Sequence, residues 1–377
     1  MYDYKNLSSA IRFLSVDAIN KANSGHPGMP LGMADIATVL FTKHLRFNPL
    51  DARWAGRDRF IMSNAHGSML QYALLYLTGY PKATLEQIKN FRVLGSQTTG
   101  HPEYGYFDGA IETTGGPLGQ GIATAVGMAV AEKIKLARLQ DKRLIADNKI
   151  FVTVGDGCLM EGICEEAIEL AGVWNLNNLI VLWDDNNITI DGKVTLASCT
   201  DIPARFEASS WKVIHADGHD YEDIDRALTE ARKSNSPTLI DFKTIIGKGC
   251  EKENSPKIHG APLGVEGRAK MAETLGWTDS EFEIPATILN EWRALGSKHQ
   301  STYDTWQTKF NQASVEDRNL IDNKNIGAGL WLSELAKFKE QMLAEKPSVA
   351  TRKASEMSIE VFAPNFEKLI AGSADLT

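Results

Sequence analysis

KIFVTVGDGCLMEG, Lys149 to Gly162, opens as a near-continuous apolar run and then holds an aspartate between two glycines, Gly155 and Gly157. A short apolar run rich in β-branched residues and closed by glycine reads as a strand covered on both faces. A second run, LIVLWDD (179–185), passes into NNITIDG (186–192), and a helical pattern, Glu161–Ala171, lies between the two. WKVIHAD (211–217) and TLIDFKTI (238–245) are further strands, separated by a helical stretch over Tyr221–Lys233. Buried strands alternating with helices predict an α/β fold, a parallel sheet with helices on both faces.

Upstream, Leu7, Ile11, Leu14 and Ala18 fall at helical spacing, with Gly25 placed to close that helix. Residues 30–45 read as a second helix with Pro30 in its first turn. FIMS (60–63) is a short strand, and a helix from Ser68 to Leu77 ends at Gly79. GGPLGQGIATAVGMAVAEKI, from Gly115, is a glycine loop opening a long helix that is small-sided and buried at its start. Beyond about residue 265 the chain becomes mostly helical and polar. The expected organisation is one α/β domain over 1–265, a helical linker packing on it over 266–345, and the start of another domain over 346–377.

The composition is that of an ordinary globular chain. Of 377 residues, 43% are hydrophobic and 23% charged, with a net charge of −8. Basic residues alternate with acidic ones, so no nucleic-acid partner is expected. No apolar run reaches membrane-spanning length and no leader pattern precedes the first helix. Four cysteines, none in a C-x-x-C pair, are too sparse for a disulfide framework and read as reduced cytoplasmic thiols.

Asp156 stands at the carboxyl end of a strand, where open α/β sheets bind ligands. Its flanking glycines let a ligand approach the backbone, and the helix that follows presents free N–H groups suited to phosphate. Asn186 and Asn187 end the next strand. One carboxylate, one amide oxygen and one loop carbonyl make a hard, oxygen-rich site that suits Mg²⁺ when phosphates complete its octahedron. A plain turn or helix cap is the competing reading of an Asp-Gly pair. His26, His66, His101 and His259 each touch a glycine in loop text, as phosphate donors or proton carriers do; for any single one, a turn cap is the better reading. His219 reads as a turn residue, and His44 and His299 as helix positions.

In order along the chain come SGHPGMPLGMA (24–34), SNAHGS (63–68), ETTGGPLGQG (112–121), GDGCLMEG (155–162), DDNNITIDG (184–192) and HGAPLG (259–264). Through these motifs the sequence closely resembles transketolase, in its N-terminal diphosphate-binding domain. SVATRKASE (348–356) resembles the start of that family's pyrimidine-binding domain. The resemblance implies the thiamine-diphosphate-binding fold and thiamine diphosphate as cofactor, held by Mg²⁺ with Ca²⁺ or Mn²⁺ as substitutes. It implies Asp156, Asn186 and the Ile188 carbonyl as metal ligands. The cofactor would be held by Gly157 and Asn186, with His66 and His259 at the diphosphate and Gly115 and Leu118 along its rings. His26, His101 and His259 would handle substrate hydroxyls and protons, and Arg352 the sugar phosphate. Glu161 and Glu166 would lie at a subunit contact.

The implied activity is reversible transfer of a two-carbon ketol unit from a ketose phosphate such as xylulose 5-phosphate to an aldose phosphate such as ribose 5-phosphate. That is a step of the pentose phosphate pathway, performed by a cytoplasmic homodimer. Dihydroxyacetone synthase shares the motifs, and a non-catalytic cofactor-binding module is the alternative from another class. The chain stops at GSADLT, just inside the second domain of the family, which implies a half-site inactive alone. CEKENSPKI (250–258), before His259, has no clear counterpart in the family.

Overall fold

The computed structural model describes residues 2–322, 330–366 and 369–372. The chain divides into two compact units, residues 1–314 and 315–377. The first is built on a five-stranded sheet of β1 (Arg59–Met62), β2 (Ile150–Gly155), β3 (Leu179–Asp185), β4 (Lys212–Asp217) and β5 (Thr238–Lys243). Every neighbouring pair is parallel and the order is β1-β2-β3-β5-β4. Ile150 of β2 stands opposite Leu179 of β3, and Ile180 of β3 opposite Thr238 of β5.

Strand side chains alternate between faces, and here the alternation separates two cores. Phe60, Phe151, Ile180, Leu182, Ile240 and Phe242 enter the larger core, with helices α1 (Tyr4–Ala22), α2 (Gly28–Val39) and α3 (Met69–Thr78). Ile61, Val152, Val154, Val181, Trp183 and Leu239 enter the smaller one, under helices Gln120–Arg138 and Gly162–Val173. Burial on both faces explains why β2, β3 and β5 read as continuous apolar runs, whereas the edge strand β4 alternates buried and exposed residues. Each fully buried Leu, Ile or Phe contributes roughly 1.5–3 kcal/mol relative to exposure.

Two sequence expectations shift. Helix α1 is closed by Asn23, whose left-handed φ of 48° makes the terminal turn, and not by Gly25. Gly25 has φ 145°, and a Cβ there would lie 2.9 Å from Ile19 Cγ1. The second helix ends as an α-helix at Val39 and continues as a wider π-helical turn over Leu40–His44. The small-sided start of helix Gln120–Arg138 is buried as its composition suggested, at Gly121, Ile122, Ala125 and Val126.

The stretch read as a linker beyond 265 contributes to the first unit. Met271, Trp277, Ile288, Trp292 and Leu295, from helices Gly264–Leu275 and Ala286–Ser297 and the turn between them, join the larger core. The compact units divide at Ser314, whereas the sequence reading set boundaries near 265 and 345. In the second unit, Trp331 packs against Phe362 and Phe366 across helices Leu330–Glu345 and Thr351–Phe362. Of the stretch 346–377, residues 367–368 and 373–377 lie outside the described residues.

Close helix packing sets one sharp requirement. A Cβ on Gly172 would lie 1.7 Å from the Ser209 carbonyl oxygen, an atom of the backbone that cannot swing away. Gly172→Ala is expected to lower stability by about 3 kcal/mol, overriding the ~1 kcal/mol helix-propensity gain. Gly127→Ala, where a Cβ meets nothing, is expected to gain stability by about 0.5–1 kcal/mol. Urea midpoints of the two variants check this. Equal midpoints would overturn the packing assigned to Gly172.

Candidate active site

The carboxyl ends of β1, β2, β3 and β5 open onto one rim. Beyond β1 come Ser63, Asn64 and a tight turn, Ala65–Gly67, that carries His66. Beyond β2 come Asp156 and a four-residue helix, Asp156–Leu159. Beyond β3 come Asn186, Asn187 and Ile188. Beyond β5, the Gly247 N–H donates to the Gly28 carbonyl (2.9 Å), tying this loop to the start of α2 beside His26.

Three histidines from distant parts of the chain meet there. His66 stacks on His259 with ring centroids 4.9 Å apart, and His26 lies edge-on to both, at 5.3 and 5.7 Å. Burial and the neighbouring rings lower the pKa of His66 to about 3 and that of His26 to about 4. Burial also lowers His101 and His259. All four are therefore neutral at pH 7, each with one N–H to donate and one lone pair to accept. The buried Nδ1 of His26 has no hydrogen-bond partner.

The acidic side of the rim is equally specific. Asp156 Oδ1 accepts from the Trp183 indole (3.3 Å), while Oδ2 is buried without a partner. Burial, with Asp185 and Asp184 nearby, pushes its pKa up to about 7. Asp184 is raised to about 6 by burial, partly offset by hydrogen bonds from Thr244 and Asn186. Asn186 Oδ1 accepts from the Ile188 N–H (3.0 Å), and Asn187 turns the chain with φ 59°. Ile188 bridges to Lys193, closing a tight loop that fixes its backbone.

The glycine loop packs onto both sides. A Cβ on Gly115 would reach 2.3 Å from Ala65 Cβ, and one on Gly121, in the first turn of helix Gln120–Arg138, 2.4 Å from Ser63 Cα, so the loop and the helix start can approach the end of β1 only as glycine. Gly116 lies against the His101 ring, and Gly157 against Leu118 Cδ1. His26, His66, His101, Gly115, Leu118, Asp156, Gly157, Asn186, Ile188 and His259 thus share one region of the first unit. Arg352 stands exposed on helix Thr351–Phe362, in the second unit.

Neutral histidine donors on the same rim as a carboxylate whose buried Oδ2 lacks a partner are chemically suited to a divalent cation and an anionic group. Among the described residues no three His, Cys, Asp or Glu side chains form a metal-binding group of their own. Any cation would therefore rely on one carboxylate, amide and carbonyl oxygens, and the ligand's own oxygens.

Residues 4–324 match the family described as transketolase, thiamine diphosphate binding domain. The chain belongs to the transketolase family. It is 52% identical to a transketolase of Rhodobacter capsulatus over 379 residues, covering all of this chain and 56% of that protein. A crystal structure of transketolase from Campylobacter jejuni matches 99% of this chain and 57% of its own (TM-score 0.85, 40% identity). Transketolase from Leishmania mexicana matches all of this chain and 56% of its own (TM-score 0.88, 36% identity). The chain therefore spans a little over half the length of the transketolases it matches.

Two rim residues of this transketolase domain escaped the sequence reading. Asn64 accepts from Thr153 Oγ1 (2.6 Å) through Oδ1 and leaves Nδ2 buried and partnerless beside Gly155. Arg92 holds an unusual φ of 63°, donates to Ser24 Oγ (2.6 Å) and helps keep His26 and His101 unprotonated. Asn64 lies inside the quoted SNAHGS motif. FRVLGS, around Arg92, offers no local signal.

Because His66 resists protonation down to about pH 3 while an unfolded histidine titrates near 6.5, its charging opposes folding. Stability tied to this group is present above pH 6.5 and is lost as pH falls towards 3. His66→Asn is expected to reduce the acid-side loss of the ligand-free chain by roughly 1 kcal/mol per pH unit between pH 6.5 and 5. Urea titrations at several pH values measure the difference between variant and parent. Parallel curves would overturn the buried, neutral assignment.

Proposed function

We propose that this chain supplies the metal–diphosphate half of a thiamine-diphosphate-dependent ketol transferase. The whole protein would move a two-carbon unit from a ketose phosphate to an aldose phosphate, as in the pentose phosphate pathway. The observation that carries the reading is the buried, partnerless Oδ2 of Asp156 at the end of β2, on the rim that also carries the neutral histidines, in a chain of this family.

In this reading Asp156, the Asn186 side chain and the Ile188 carbonyl hold Mg²⁺, with Ca²⁺ or Mn²⁺ as substitutes. Asp156, whose pKa is raised first by burial and then by Asp185 and Asp184, would have its buried charge offset by such a cation. The Gly157 N–H, at the start of the short helix, would donate to a phosphate oxygen, as would His66 and His259. Gly115 and Leu118 line the organic rings. The bound cofactor would supply the electron sink for carbon–carbon cleavage. The protein's own part is position and proton handling: His26, His101 and His259, kept neutral, donate to or accept from the substrate's hydroxyls and carbonyl. Arg352 is proposed to bind the sugar phosphate.

A homodimer fits an apolar surface on helix Gly162–Val173 and its end. Ile163, Leu170, Val173 and Trp174 are exposed there, Val173 by 72%, beside Glu161 and Glu166. Among the described residues no helix is long and apolar enough to cross a membrane. The proposed location is the cytoplasm, supported by four unpaired cysteines, three of them buried.

Calorimetric titration with thiamine diphosphate, with and without Mg²⁺, tests the reading beside Asp156→Ala. Metal-dependent binding by the parent and none by the variant is the expected result. Binding that ignores both metal and mutation would overturn the metal assignment.

A further inference from the structure

The first unit has a cavity at the end of the sheet opposite the rim that carries Asp156. It occupies about 320 Å³ and is lined by Trp54, Arg46, the turn before β2 around Leu144 and Arg143, and helix Gln300–Gln312 through Ser301, Thr302, Trp306 and Lys309. Asn148, also on its wall, is two residues before β2, whereas Asp156 follows that strand. A six-residue strand separates the two by on the order of 20 Å.

Its chemistry is lopsided. Trp54 is 2% exposed, and its indole N–H has no hydrogen-bond partner. That N–H lies at Gly56, another wall residue, where a Cβ would come within 2.7 Å of it. Arg46 spends its terminal nitrogen on Asn148 Oδ1 (2.9 Å) and pairs with buried Asp58 (3.7 Å), outside the cavity wall, yet its buried Nε–H is also partnerless. Two buried donors without acceptors are therefore bracketed by Arg46, Arg143 and Lys309, against one wall carboxylate, Asp147. Arg143 is itself held by Asp141 (2.7 Å), outside the cavity wall. The first turn of helix Gln300–Gln312 adds the Ser301 and Thr302 hydroxyls and the positive end of a helix dipole. What complements such a wall is an oxyanion, rich in acceptors and negatively charged. The volume exceeds that of a bare phosphate, and Trp54, Leu144, Ile145 and Trp306 give the remainder an apolar lining.

We propose that this cavity binds a small organic phosphate, at a site separate from the rim that carries Asp156 and the histidines. The inference does not rest on the function proposed above.

The test follows the eight indole N–H resonances of the ¹⁵N-labelled full chain during titration with phenyl phosphate, inorganic phosphate and ionic-strength-matched chloride. The Trp54→Phe spectrum identifies the Trp54 signal. The expected result is a saturable shift of that signal, tighter for phenyl phosphate than for inorganic phosphate and absent with chloride. Should Trp54→Phe fail to fold, calorimetry on Arg143→Met/Lys309→Met decides, since Arg143 is exposed and Lys309 only half-buried. That variant is expected to weaken phenyl phosphate about tenfold or more at unchanged thermal stability. Asp156→Asn is expected to leave the binding unaltered. An unmoved Trp54 signal, a shift reproduced by chloride, full affinity in the double variant, or loss of binding in Asp156→Asn would each overturn the proposal.

Discussion

Asp156→Asn is expected to make the metal-free chain more stable at pH 8 and to abolish metal-dependent thiamine diphosphate binding. Both effects arise from one buried charge. The folded-state pKa of Asp156 is about 7 against 3.8 for the free side chain. The folded state therefore holds this proton more tightly than the unfolded chain. Stability from the group is fully present below pH 3.8 and is lost as pH rises through 7. A shift of about three units corresponds to ~4 kcal/mol at most, and relaxation around the charge brings the expected gain of the neutral variant at pH 8 to about 2–4 kcal/mol. At pH 4 the two proteins should be nearly equal. Urea unfolding in the presence of a chelator, at both pH values, reads the difference. Calorimetry with Mg²⁺ and thiamine diphosphate reads the binding. A variant that is less stable at pH 8, or that still binds in a metal-dependent way, would contradict the role given to this carboxylate.

The opposite signs separate a ligand from a structural group. A carboxylate kept for stability would be paired, as Asp58 is with Arg232 (3.0 Å). Asp156 instead has two acidic neighbours and a partnerless oxygen. Such an arrangement costs stability in the free chain and is offset when a cation binds the folded state alone. The same reasoning covers the histidines: burial that keeps them neutral opposes folding in acid and leaves each with an N–H to give.

The sheet could be read from sequence because its strands are local, apolar and bounded by glycine. The rim could be read in part because Gly155, Asp156 and Asn186 sit at strand ends, where position follows from the strand itself. The meeting of His26, His66 and His259 could not be derived this way. Their contact spans more than 190 residues of chain and depends on how the loop after β5 packs on the start of α2. Here the motif resemblance supplied what periodicity could not. Asn64 and Arg92 were missed for a related reason, since their roles come from partners on other elements. The closing of α1 at Asn23 shows a local limit too, because Asn and Gly both adopt the left-handed turn.

Asp35→Ala is expected to cost about 3–5 kcal/mol, the loss typical of removing one partner from a buried ion pair. Asp35, on α2, accepts from Arg12 (2.6 Å) and His219 (2.9 Å) through Oδ2 and from Tyr221 (3.0 Å) through Oδ1. Because the Ile245 N–H donates to His219 Nε2 (2.9 Å), the proton of that ring is on Nδ1 and points at Asp35. His219, read from sequence as a turn residue, does take the Asp217 turn bond, and it also joins α2 to the loop after β5. Burial alone would raise the Asp35 carboxyl, but the Arg12 guanidinium and the His219 hydrogen bond overcome it and hold it well below the usual carboxylate range. Its contribution is therefore present above pH 3.8 and lost only as pH falls below that value, the reverse of Asp156. Removing it strands the Arg12 guanidinium, 4% exposed, with only the Leu31 carbonyl and the Ser8 hydroxyl. Arg12→Met/Asp35→Leu, which removes both charges, should recover much of the loss. Urea unfolding of the two variants at pH 7 decides: equal losses would mean that packing, and not the stranded charge, sets the cost. Because Ile245 leads into the Gly247–Gly28 contact beside His26, the alanine variant should also bind thiamine diphosphate more weakly than the charge-free pair does.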